Sequence, residues 1–140
     1  MIRYVVPLVF VCLCAAPAAA QALSSHGWRI TEIAGLELDA QARARTSLRF
    51  DAAQRRMAGT IGCNRMMGSY EAVASALTFG PLAATRMACP GVLDARERAF
   101  AKALGDTRRW RIAGRVLILS GEGGAVLMRL EPEPHPGSKP

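Results

Sequence analysis

The chain has 140 residues and a formal charge of +7, with 51% hydrophobic and 21% charged residues. That length holds one domain with its own core and excludes a doubly wound nucleotide-binding fold joined to a substrate domain. The apolar share excludes wholesale disorder, and beyond the N-terminus no apolar run is long enough to span a bilayer.

Met1-Ile2-Arg3 opens the chain with a positive charge, Tyr4 to Pro17 is apolar and uncharged, and Ala18-Ala19-Ala20 supplies small residues. This is the pattern of a secretory signal peptide over residues 1–20, cleaved after Ala20. As a retained anchor the stretch is short and lacks a basic stop. Cys12 and Cys14 follow the bulky Val11 and Leu13, which argues against lipid attachment. The mature protein is therefore expected in the periplasm or outside the cell, without a transmembrane anchor. Processing removes Arg3, leaving a charge of +6, and leaves two cysteines, Cys63 and Cys89. An even number in an exported chain is most simply one disulfide, worth about 3.5 kcal/mol for a loop of this length. Two buried free thiols packing as small hydrophobes are the alternative.

Along the mature chain, Trp28-Arg29-Ile30-Thr31-Glu32 alternates as a first strand and ends near Gly35. Leu36 to Ala44 is mixed and reads as a loop or short excursion. Thr46 to Asp51 puts Leu48 and Phe50 on one face and Ser47, Arg49 and Asp51 on the other, a half-buried antiparallel strand. Met57 to Ile61 returns as the next, where Gly59 hints at a bulge or a close approach. Gly62-Cys63-Asn64, with Gly68 and Tyr70, reads as a loop. Ala76 to Phe79 is a short strand stopped by Gly80-Pro81, and Thr85 to Cys89 is a compact apolar segment.

Asp94 to Leu104 has helical spacing, with Leu93, Glu97, Phe100, Ala101 and Leu104 on one face. Asp94 is the expected N-cap, Glu97 completes a capping-box pair, and Gly105 follows as the terminating residue. Three strands close the chain: Arg109 to Ile112, Val116 to Leu119, and Ala125 to Leu130 after the Glu122-Gly123-Gly124 turn. Residues 131–140 hold four prolines and are expected to be a disordered tail. The fold class is α+β: a strongly curved antiparallel β-meander, a half-open barrel, with one packing α-helix over residues 21–130.

In this order the landmarks resemble the META domain, or HslJ-like, family of bacterial envelope proteins. The resemblance is carried by Trp28, the Leu48/Phe50 strand, Gly62-Cys63-Asn64 with Gly68 and Tyr70, Leu77 and Phe79, and Thr85-Arg86-Met87-Ala88-Cys89. Glu97, Phe100 and Leu104 match the helix, and Trp110, Ile112, Gly114, Leu117 and Leu119 the closing strands. It implies a small α+β unit with a curved antiparallel sheet. It also implies links to heat shock and envelope stress, in some members to secretion or motility, and a likeness to lipid-binding pilot proteins. No agreed biochemical activity comes with it. The Pro-rich tail and the missing lipid-attachment cysteine depart from many members.

Chemistry is sparse. Cys63 would need an activating histidine to act as a nucleophile, and the histidines are His26, near the mature N-terminus, and His135, in the tail. The structural reading is preferred: Cys63 pairs with Cys89, Gly62 relieves backbone strain and Asn64 bonds loop backbone. Zinc would need four ligands at familiar spacings, which are lacking. No hydrolase elbow, phosphate loop or dinucleotide fingerprint is present. Asp94 and Glu97 read as a capping pair rather than glycosidase acids. No catalytic, metal-binding or cofactor-binding residue and no cofactor is expected.

The basic residues are almost all arginine, in groups at Arg43/Arg45, Arg55/Arg56, Arg96/Arg98 and Arg108/Arg109/Arg111. They are either a solvated surface or a site of attraction to anionic lipid, lipopolysaccharide or acidic cell-wall polymer. Nucleic acid is not an expected partner. Met57, Met66, Met67 and Met87 are either core or the lining of an acyl-sized cavity between sheet and helix. The sequence thus points to a non-enzymatic periplasmic domain that supports envelope stress resistance by binding an envelope component or a partner protein. The rivals are a small enzyme acting on cell-wall or lipid material, and an inhibitor of an exported hydrolase.

Overall fold

The computed structural model describes residues 17–134. In chain order the elements are α1 (Ala18–Ser24), β1 (Trp28–Ile33), β2 (Leu36–Glu37), α2 (Ala40–Ala44), β3 (Ser47–Asp51), β4 (Arg56–Thr60) and β5 (Arg65–Val73). There follow β6 (Ala76–Phe79), β7 (Ala83–Ala84), α3 (Gly91–Asp106), β8 (Arg109–Ala113), β9 (Val116–Ser120) and β10 (Val126–Pro132). The expected α+β class holds.

All strand pairs are antiparallel, and the pairing runs β10-β9-β8-β6-β5-β4-β3-β1, with β1 returning to β10. The sheet therefore curves into a ring. Two seams are thin: β1 meets β3 at Trp28↔Leu48 alone, and β6 meets β8 at Ala76↔Arg109 alone. Curvature is helped by register shifts at Thr31 in β1 and between Val126 and Met128 in β10, since an extra residue bends and twists its strand.

Alternation sets what fills the ring. β5 alternates exposed and buried residues along its whole length, which sends Met66, Tyr70 and Ala72 inward. Trp28, Ile30, Leu48, Met57, Leu77, Leu117, Leu119, Met128 and Leu130 join them in the core. α3 lies against β1, β6 and β10 and inserts Phe100 and Leu104, both fully buried. Gly59 is a close approach: a Cβ there would lie 3.0 Å from the Phe100 ring and 3.0 Å from the Ser47 carbonyl.

Several expectations are corrected. Gly68 and Tyr70 belong to β5, not to a loop, because the alternation of residues 66–72 continues through them. Leu36 to Ala44 forms β2 and α2, the latter capped by Asp39, whose carboxylate accepts from the Ala42 amide at 2.8 Å. The main helix is longer at both ends than expected and starts after Pro90 without a side-chain cap. Asp94 instead pairs with Arg98 one turn on, and Glu97 turns inward. The helix ends at Thr107, whose hydroxyl donates to the Ala103 carbonyl at 2.7 Å; Gly105 is still helical.

Thr85 to Ala88 is exposed rather than packed. β10 continues to Pro132, and Glu133 donates its amide to the Gly27 carbonyl at 2.7 Å, so the expected tail is ordered as far as the described residues run. Residues 135–140, with His135, lie outside them, as do residues 1–16 of the expected signal peptide. The expected cleavage point after Ala20 falls within α1, whose Leu23 is fully buried and accepts from the Trp28 indole at 2.8 Å.

Candidate functional site

β4 ends at Thr60, and the chain must turn at once to enter β5. Gly62, with φ +119°, supplies a conformation that L side chains rarely adopt. The Thr60 hydroxyl holds the turn by accepting from the Gly62 amide at 3.1 Å and donating to the Asn64 carbonyl at 2.8 Å. This places Cys63 and Asn64 side by side, facing the segment that leads into α3.

Three parts of the chain meet there. Cys63 and Cys89 form a disulfide with a Cα–Cα distance of 6.2 Å. Asn64 is the hub. Its side-chain oxygen accepts from the Met87 amide at 2.7 Å and the Thr85 hydroxyl at 3.1 Å. Its side-chain nitrogen donates to Glu97 Oε2 at 2.8 Å, and its backbone amide donates to Glu97 Oε1. Thr85 closes the arrangement by accepting from the Arg65 amide at 3.0 Å and donating its own amide to the Arg65 carbonyl at 3.0 Å.

Glu97 is a buried carboxylate with no basic side chain within ion-pair distance among the described residues. Burying a charge without donors costs several kcal/mol, so the two N–H groups of Asn64 are what make this position tolerable. In return, the carboxylate fixes the loop of residues 62–64 against α3. We call the assembly of Cys63, Asn64, Thr85, Met87 backbone, Cys89 and Glu97 the clasp.

The chemistry of the clasp is spent internally. Donor atoms of Cys63, Cys89 and Glu97 all lie within 4.8 Å of one another. The sulfurs, however, are bonded to each other and carry no thiolate, and both Glu97 oxygens accept from Asn64. An oxidised pair is neither a nucleophile nor a soft-metal ligand. His26 packs edge-on against Trp28, ring centroids 5.8 Å apart, and takes no part in the clasp.

The remaining predicted site residues lie elsewhere. Gly68 sits under the Pro81–Leu82 backbone, where a Cβ would come within 3.0 Å of Pro81 O. Tyr70 packs edge-on against Phe50 at 5.0 Å, and its buried hydroxyl has no hydrogen-bond partner among the described residues. Burial, with a smaller contribution from Asp51, raises its pKa above the usual 10.0. Phe100 is core beneath Gly59. Met57 and Met66 are core, whereas Met67 and Met87 are exposed, so the four methionines do not line one cavity. Sequence reasoning missed Thr60, because a single threonine at a strand end carries no periodic signal.

The sequence profile described as the META domain matches residues 21–134, a stretch that contains the whole clasp. The chain belongs to the META domain family. Among solved structures, this META domain is similar to a Burkholderia xenovorans protein determined by NMR, at 26% identity and a TM-score of 0.66, covering 91% of this chain and 99% of that one. A crystal structure of a DUF4847 family protein from Bacteroides vulgatus shares the fold at 12% identity and a TM-score of 0.61, covering 80% and 95%. A comparison with curated proteins finds no match. The disulfide between the two cysteine motifs is present, and among the described residues no helix is long and apolar enough to cross a membrane.

Proposed function

We propose that this META domain is a non-enzymatic periplasmic or secreted module that supports envelope stress resistance by holding an anionic partner through its arginine surface. One observation carries the reading: the residues able to do chemistry at the family motif are bonded to each other, so the motif acts as a fastener. The unpaired charge left facing solvent is in excess positive, although Glu37, Glu71, Glu122 and Glu131 are also exposed without an ion pair among the described residues. Among the described residues the ion pairs are Arg49–Glu133, Arg98–Asp94, Lys102–Asp106 and Arg129–Glu32. Arg55, Arg56, Arg108, Arg109, Arg111 and Arg115 are exposed and make none.

Export, with signal cleavage after Ala20, fits an oxidised cysteine pair. An anionic lipid headgroup, an acidic envelope polymer or an acidic protein would each satisfy the exposed guanidinium groups, which bind carboxylate and phosphate through paired N–H donors. The test is retention of the purified mature protein on phosphatidylglycerol vesicles and on polyglutamate as salt is raised. Retention at low salt that falls away above physiological ionic strength is expected. Equal retention on neutral vesicles, or none on either anion, contradicts the reading.

A further inference from the structure

Among the described residues, the thin seam between β6 and β8 leaves part of a strand without a neighbour. β8 pairs with β9 from Arg109 to Ala113, but with β6 only at Ala76↔Arg109. The last main-chain bond across the seam is the Trp110 amide to the Ser75 carbonyl at 3.0 Å, beside which the Trp110 indole donates to the Ala74 carbonyl at 2.9 Å. β8 then runs past the turn joining β5 and β6. Because bonding direction alternates along a strand, the Ile112 N–H and C=O point the same way as the Trp110 amide, away from β9. Ile112 is 42% exposed and lines an open groove with Ala22, His26, Trp28 and Arg115.

Along the hairpin itself the charge is one-sided, while Glu32, Glu37 and Glu131 line a groove with Ala113 and Val116 on the face toward β1 and β10. Arg108, Arg109, Arg111 and Arg115 flank the edge, and residues 107–121 contain no Asp or Glu. None of the four lies within 4 Å of a carboxylate among the described residues. Charged residues on an edge oppose pairing with a like strand. A second copy of this hairpin would bring eight guanidinium groups together and is repelled, whereas an acidic strand is attracted.

We propose that the Arg111–Ala113 edge of β8 is a docking site for an extended acidic segment of a partner protein, which adds to the sheet as a strand. Alternation defines the segment further. Arg109 and Arg111 share one face and Trp110 and Ile112 the other, so the segment alternates acidic and apolar residues. Main-chain bonds at Ile112 supply the pairing, and the arginines supply selection. This rests on the anionic-partner reading above and names the partner.

The probe is a peptide of alternating Glu and Val, compared with its analogue carrying prolines at the Val positions and with phosphatidylglycerol vesicles, on the mature full chain. The alternating peptide is expected to protect the Ile112 amide from hydrogen exchange and to bind at least about tenfold more tightly than the proline analogue. The substitution R109E/R111E is expected to weaken it by a similar factor. Equal binding of the two peptides, or an unprotected Ile112 amide, overturns the docking site. If vesicles are retained while neither peptide binds, the edge assignment fails and the broader reading survives; if nothing anionic binds, both fail.

Discussion

Asn64 and Glu97 show how one residue type at one position settles what a motif does. The carboxylate reads in sequence as a helix cap, because it stands three residues after Asp94 and that spacing is the capping-box spacing. In the fold, Pro90 stands at the N-cap, so Glu97 lies beyond the first turn and cannot cap it; it keeps the face it shares with Phe100 and Leu104, where Asn64 supplies its donors. The cysteine pair acts on the same loop through the unfolded state. Cys63→Ala and Cys89→Ala are each expected to cost about 3 kcal/mol in denaturant unfolding, with the double change adding little more; additive losses would mean that each cysteine contributes by packing alone.

Tyr70 behaves differently, since its hydroxyl is buried without a partner among the described residues. Its folded pKa is raised, so the folded state disfavours the phenolate. The associated stability is present below the unfolded pKa near 10.0 and is lost as pH rises through the folded value. Tyr70→Phe is therefore expected to be neutral or mildly stabilising at pH 7 and to reduce the loss of stability above pH 10. Urea unfolding at both pH values checks this; a large loss at pH 7 would reveal a hydrogen bond to the hydroxyl.

At the level of elements, what was legible followed from period. β3, β4, β6 and most of β10 are readable because their apolar residues alternate, β9 because it is a short run apolar on both faces, and α3 because Phe100 and Leu104 recur at helical spacing. β5 was cut short by Gly62, Gly68 and Tyr70, because glycine in a strand resembles a turn until the close Pro81–Leu82 backbone explains it. α1 and α2, of 7 and 5 residues, are too short to show a 3.6-residue repeat and are held by tertiary packing. β8 is readable because Trp110 and Ile112 alternate with Arg109 and Arg111, while its thin seam leaves Ile112 exposed.

Two substitutions test this packing. Gly59→Ala drives a methyl group into Phe100, Ser47 and Leu48 and is expected to cost about 1–3 kcal/mol. Leu23→Ala, which hollows the contact of α1 with the core, is expected to cost about 2–5 kcal/mol. Chemical denaturation reads both. A neutral Leu23→Ala would show that α1 contributes nothing to the folded domain.

For the whole molecule, fastening and binding occupy different places. The clasp ties the loop of residues 62–64 to the segment before α3, while the unpaired arginines of β8 and its hairpin stand at a seam of the ring. No residue is shared between the two sets. Stability and partner binding are therefore expected to separate under mutation. The candidate site was legible in sequence as a set of residues, because Gly62-Cys63-Asn64 and Thr85 to Cys89 stand out as motifs. Its hub was not, because the bonds of Asn64 to Met87 and Glu97 join residues 23 and 33 positions away. The seam was invisible for the same reason, since strand pairing is a property of the closed ring.

The most direct measurement is association with anionic vesicles, at a temperature where all proteins are folded, for the unaltered domain, Asn64→Ala and R109E/R111E. Asn64→Ala is expected to bind as the unaltered domain does despite lower stability, and R109E/R111E to bind more weakly with stability unchanged. Loss of association in folded Asn64→Ala, with R109E/R111E unaffected, would contradict the account and move the function into the clasp.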